Sequence, residues 1–67
     1  MLEIKINGEA RQFPEALTVA DLIALLGYAG KRIAIECNGE IVPKSRHGST
    51  SLLTGDVLEI VVAVGGG

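Results

Sequence analysis

The chain predicts an α+β domain in which one main helix covers one face of a mixed sheet of four to five strands. Three observations carry that expectation. Strictly alternating apolar and polar residues recur in short runs, the period of half-buried strands. Two Asn-Gly pairs, at 7–8 and 38–39, each sit between such runs and mark tight hairpins. A single stretch carries the 3.6-residue period of an amphipathic helix.

The first strand is Leu2, Ile4 and Ile6 alternating with Glu3, Lys5 and Asn7. Asn7-Gly8 suits a type I′ turn, because both central positions need positive φ. Glu9 to Phe13 returns antiparallel, and Pro14, which has no N–H for the ladder, ends it. The helix spans roughly 19–26. Thr18 is its N-cap, and Asp21 three residues later can close a capping box. Val19, Leu22, Ile23 and Leu26 form one stripe, and Gly27 fits the left-handed position just past the end.

Arg32 to Cys37 alternates again, with Ile33, Ile35 and Cys37 on one face. Asn38-Gly39 then turns the chain into Glu40-Ile41-Val42, which Pro43 stops. Residues 44–50 read as polar and irregular, and Leu52 with Leu53 as a turn tucked under the sheet. Thr54-Gly55-Asp56 is turn chemistry, and Val57 to Val64 is the strongest strand signal in the chain. The order is β-β-α-β-β-β. If the helix crosses over between the first hairpin and the rest, the first and last strands pair in parallel at the centre, which is the β-grasp arrangement. The domain is expected over residues 1–64, with Gly65, Gly66 and Gly67 as a flexible tail.

Composition narrows the function classes. A chain of 67 residues holds one small core, and one cysteine allows no internal disulfide. With 48% hydrophobic but 3% aromatic residues, Leu, Ile and Val must fill that core. A net charge of −2 and a single Tyr and Phe argue against nucleic-acid binding, which needs cations and stacking platforms. Lys31-Arg32 and Lys44 with Arg46 read as two small basic spots on ordinary solvated surface. No apolar run reaches the length of a membrane span, and the opening lacks a basic, cleavable leader, so a reduced, cytoplasmic setting is expected. Nor do spacings suggest a metal site or an acid–base pair, and an enzyme is not expected.

That leaves the tail. With Gly67 last, the glycines cannot build a phosphate loop, which needs a following helix. They can present an α-carboxylate on a leash without side chains, able to thread a narrow tunnel in a partner enzyme. Gly-rich chain ends are also commonly just frayed, so the three glycines alone leave both readings open. Elsewhere the bland readings prevail. Cys37, in phase with Ile33 and Ile35, reads as a small buried and inert hydrophobe, and His47 as simple surface. Asp56 and Thr18 read as turn and cap. Val57, Glu59 and Val61, continued by Ala63, form a largely apolar row leading to the tail, so Val61, Ala63 and Val64 are either a docking surface or plain strand propensity.

The whole length resembles the ThiS family of thiamine-biosynthesis sulfur carriers, relatives of ubiquitin and of the molybdopterin-synthase small subunit. The resemblance is carried by MLEIKINGE, LTVADLIALLG, RIAIECNGEIVPKS and LLTGDVLEIVVAVGGG. Within these, Asn-Gly-Glu followed by Val42-Pro43 and a basic residue, Gly55-Asp56 and the terminal Gly66-Gly67 are the telling features. Where family members often carry an aromatic after the Val-Pro-basic segment, this chain has Arg46-His47-Gly48. The resemblance implies a carrier that binds no cofactor and does no catalysis of its own. Gly67 would be adenylated by a ThiF-like adenylyltransferase using ATP, then converted to a thiocarboxylate with sulfur from a donor such as a cysteine desulfurase. Gly65 and Gly66 would give access, and thiazole synthase, ThiG, would receive the sulfur. A carrier for molybdopterin synthase, and a non-covalent β-grasp binding module with an incidental glycine end, are the alternatives.

Overall fold

The computed structural model describes residues 1–63. Five strands and one helix follow in the expected order: β1 Leu2–Ile6, β2 Glu9–Phe13, α1 Val19–Leu25, β3 Ile33–Cys37, β4 Glu40–Ile41 and β5 Val57–Val62. They form one sheet in the order β2-β1-β5-β3-β4. The central pair, β1 and β5, is parallel, with Lys5 opposite Val57 and Ile6 opposite Leu58, and the other pairs are antiparallel. Helix α1 provides the crossover that a parallel pair requires. This is the ubiquitin-like β-grasp arrangement.

Both hairpins use the turn their sequence dictates. Asn7 and Asn38 have φ of 51° and 54°, and Gly8 and Gly39 have 85° each, the paired positive values of a type I′ turn. The core is aliphatic, as the composition requires. Leu2, Ile4 and Ile6 of β1 and Leu58 and Ile60 of β5 pack with Val19, Leu22 and Ile23 of α1, completed by Ile35 and Leu52. Leu22, Ile35, Leu58 and Val19 are the largest side chains that are fully buried. Full burial of each such side chain contributes about 1.5–3 kcal/mol.

Every N–H of the first helical turn has a partner. Val19 donates to the Thr50 carbonyl and Ala20 to that of His47, both at 2.9 Å. Asp21 N–H donates to the Thr18 hydroxyl at 3.1 Å, while Thr18 N–H donates to the Asp21 carboxylate at 3.0 Å, a complete capping box. The four donors orphaned by helix geometry are thereby satisfied, and Leu22 N–H makes the first intrahelical bond, to the Thr18 carbonyl. At the other end Gly27, at φ 80°, lets Tyr28 N–H reach the Ile23 carbonyl and its own N–H reach Ala24, a Schellman closure.

Four details differ from the sequence reading. Residues 44–46 are not irregular but a turn of 3-10 helix, and the segment after it is stitched to the start of α1. Leu52 enters the core, but Leu53 is 67% exposed, because a two-residue step along an extended segment can bury only alternate side chains. Strand β4 is two residues long, with Val42 held to β3 by one further bond, from its N–H to the Ile35 carbonyl. Strand β5 ends at Val62, before Val64.

Candidate functional site

Strand β5 lies at the centre of the sheet and leads toward the glycine segment. Its alternation is clean. Leu58 and Ile60 are buried under α1, while Val57, Glu59 and Val61 face the open side of the sheet. Antiparallel β3 flanks it from Ile33 opposite Val62 to Cys37 opposite Leu58. Parallel β1 pairs only with its first two residues, so another group must complete the ladder on that side.

Asn7 does so with its side chain. Its Nδ2 donates to the Ile60 carbonyl at 3.1 Å, and Ile60 N–H donates to its Oδ1 at 2.8 Å. The amide thus imitates one more strand residue, both donor and acceptor in place. The second hairpin repeats the device on the other side. Val57 N–H donates to Asn38 Oδ1 at 3.0 Å, and Asn38 Nδ2 donates to Asp56 at 3.0 Å. The turn asparagines, chosen for positive φ, therefore also clamp β5. Nothing in a two-residue turn signal encodes those contacts, which join residues 53 and 19 positions apart. The last described tie is from Ala63 N–H to the Arg32 carbonyl at 2.9 Å.

Of the row expected to dock, Val61 is 64% exposed and Ala63 is exposed. Val64, and with it Gly65, Gly66 and Gly67, lies outside the described residues. Ala34 stands opposite Val61 on β3, and Ile41, 72% exposed, shares that open face through its pairing with Glu36. A small apolar area thus surrounds Val61, with Glu36 and Glu59 beside it.

The residues with bland readings are placed as follows. Thr18 is the cap. Asp56 is more than a turn residue, since its second oxygen accepts from Leu53 N–H at 2.9 Å while the first holds Asn38. Cys37 is half-buried rather than buried, at the end of β3 where the chain enters the Asn38-Gly39 turn. Desolvation, then the Asp56 carboxylate and more weakly Glu40, push its thiol above the ordinary value, so it stays protonated at neutral pH. His47 is not simple surface. Its Nε2 lies 3.1 Å from the Val42 carbonyl, a contact that requires the Nε2–H form, and its backbone carbonyl caps α1 through Ala20. Among the described residues, no three His, Cys, Asp or Glu side chains come together as metal ligands. No helix of that segment is long and apolar enough to cross a membrane.

The sequence was compared with protein families, curated proteins and solved structures. The model of the ThiS family matches residues 4–67, from β1 through the last glycine. The chain belongs to the ThiS family. It is 35% identical to the sulfur carrier protein ThiS of Bacillus subtilis, over 96% of this chain and 98% of that one. It is also 44% identical over 66 residues to a thiazole synthase of Paramagnetospirillum magneticum, covering 98% of this chain. There the chain spans only 20% of the longer protein. Among solved structures, a thiamine biosynthesis protein, ThiS, from Geobacter metallireducens superposes with a TM-score of 0.83 at 28% identity, covering 98% of this chain and all of that one. The fold and the family expected from the sequence are thus both found.

Proposed function

We propose that this protein is a sulfur carrier of thiamine biosynthesis and that its reactive group is the α-carboxylate of Gly67. The observation that supports this most is that the family match runs through the glycine segment, to residue 67, directly beyond the clamped strand β5. The relatives named as a sulfur carrier and as thiazole synthases point to the same chemistry.

A carboxylate is a poor acyl electrophile. In the proposed sequence, a ThiF-like adenylyltransferase makes a Gly67 carboxylate oxygen attack the α-phosphorus of ATP, releasing pyrophosphate and leaving an acyl-adenylate. A persulfide sulfur, supplied by a donor such as a cysteine desulfurase, then attacks the carbonyl and AMP leaves. A thiol reductant cleaves the resulting S–S bond, and the thiocarboxylate remains on Gly67. Thiazole synthase takes the sulfur from it, and water at the acyl carbon restores the Gly67 carboxylate. ATP belongs to the activating enzyme, and this chain carries the group without catalysing a step, as a macromolecular counterpart of a carrier cofactor. Gly65 and Gly66 let the end enter a tunnel where a Cβ would collide. Val61 and Ala63, with Val64, form the surface that docks on the activating enzyme.

The test is the intact mass of the chain after incubation with a ThiF-like enzyme, ATP, a cysteine desulfurase and cysteine. Exchange of one oxygen for sulfur, mapped to Gly67, is the expected result. Unchanged mass, or sulfur bound at Cys37 instead, would overturn the proposal.

A further inference from the structure

Three cations of the two basic spots share one groove. The fold brings Lys31, Arg32 and Lys44, with His47, to the rim of one groove of about 430 Å³, whose floor includes Ile33 and Val42. The chain has eight Asp and Glu residues and a net charge of −2, yet none of those eight lines this groove. The Lys31 ammonium lies over the Tyr28 ring, 6.0 Å from its centroid, which holds that charge at the rim. A second apolar groove, between β2 and α1, contains Arg11 and Glu15 and so has no preference of sign.

Part of one wall of the basic groove is backbone of β3 with no partner among the described residues. Ala63 bonds to the Arg32 carbonyl and Asn38 N–H to that of Val57. In an antiparallel ladder the bonding direction alternates, so the N–H and C=O groups of Ile33, Ile35 and Cys37 point away from β5, toward β4. Strand β4 answers only at Cys37, and Val42 N–H answers the Ile35 carbonyl at 2.9 Å. At Pro43 the chain turns into the 3-10 helix, and the Val42 carbonyl is already engaged by His47. Ile33, paired with Val62 on its β5 side, therefore has no strand residue opposite it on the groove side among the described residues.

We propose that this groove binds an extended acidic segment of a partner protein, added as a short strand beside Ile33. Its backbone would pair with Ile33, a β-branched side chain would fill the space above Ile33 and Val42, and flanking carboxylates would meet Lys31, Arg32 and Lys44. A free inorganic anion would use the cations but neither the apolar floor nor the strand edge. A second copy of this chain would set the same three cations against each other, which is repulsive.

The test is an amide NMR titration of the isotopically labelled chain with a capped hexapeptide alternating Val with Asp and Glu. Saturable shifts confined to Lys31–Ile33 and Val42–Lys44, with slowed exchange of the Ile33 amide, are expected. Arg32→Glu and Lys44→Glu, both at exposed positions, should each weaken binding about tenfold at low salt. Three results would each overturn the proposal. The first is no saturable shift. The second is equal binding by the peptide with Lys in place of its acids, and the third is equal binding by the peptide with Gly in place of Val.

Discussion

Two asparagines do more in this fold than their place in the turns requires. Positive φ at Asn7 and Asn38 explains their choice over most residues, but Gly or Asp would serve the turn as well. Only the amide of Asn7 both donates to and accepts from Ile60, and Asp lacks the donor. Asn7→Asp should therefore keep the turn yet lower unfolding free energy by about 1–2 kcal/mol, readable by urea denaturation. Were its stability unchanged, the clamp on β5 would have no energetic weight. Cys37 supports a different kind of test. Its thiol is pushed up by burial and by Asp56, so at pH 8 it should alkylate more slowly in the folded chain than in urea. Because the folded state favours the protonated thiol, this group's contribution to stability is fully present below the ordinary thiol range and is lost as pH rises through it. Alkylation at equal rates would mean that the half-buried position exerts no such control.

At the scale of elements, the strands and helix were legible because each obeys a local rule. Period-2 alternation named β1, β3 and β5, the Asn-Gly pairs named the hairpins, and Thr18 with Asp21 named the start of α1. The same locality explains what was missed. The segment 44–52 has weak intrinsic preference, and its form comes from what it must cover. Its carbonyls at His47 and Thr50 satisfy the first donors of α1, and Leu52 closes the core. That partnership joins residues far apart in sequence, and no window of the chain contains both sides. His47, read as plain surface, turns out to tie this segment to Val42 for the same reason. Removing the capping hydroxyl, Thr18→Ala, should cost about 1 kcal/mol and lower the midpoint of thermal unfolding by several degrees. The open face of β5 is set for a complementary experiment. Val61 is exposed, so Val61→Glu should cost no more than about 1 kcal/mol, while raising KM with the activating enzyme several-fold. An unchanged KM would remove Val61 from the docking surface.

At the scale of the molecule, the β-grasp fold acts as a rigid mount. A central strand, paired on both sides and clamped by two asparagine side chains, carries the chain to the glycines. The carrier reading of that end was legible only in combination. Three glycines suit a frayed terminus as well as a tunnel-threading leash, and the family resemblance over the whole length is what favours the leash in the proposal. The structure adds how firmly the preceding strand is held, which no motif in the tail contains. It also shows Val61 exposed on the open face of β5 and Ala63 exposed just beyond the strand.

The central claim is that the Gly67 carboxylate, and no side chain, takes up the sulfur. Its most direct test compares the full chain with a variant lacking Gly67, each incubated with the ThiF-like enzyme, ATP, a cysteine desulfurase and cysteine, then weighed intact. The full chain should exchange one oxygen for sulfur. The shortened chain, with the amide NMR pattern of residues 1–63 unchanged, should keep its mass. Sulfur uptake by the shortened chain, or none by the full one, would contradict the account.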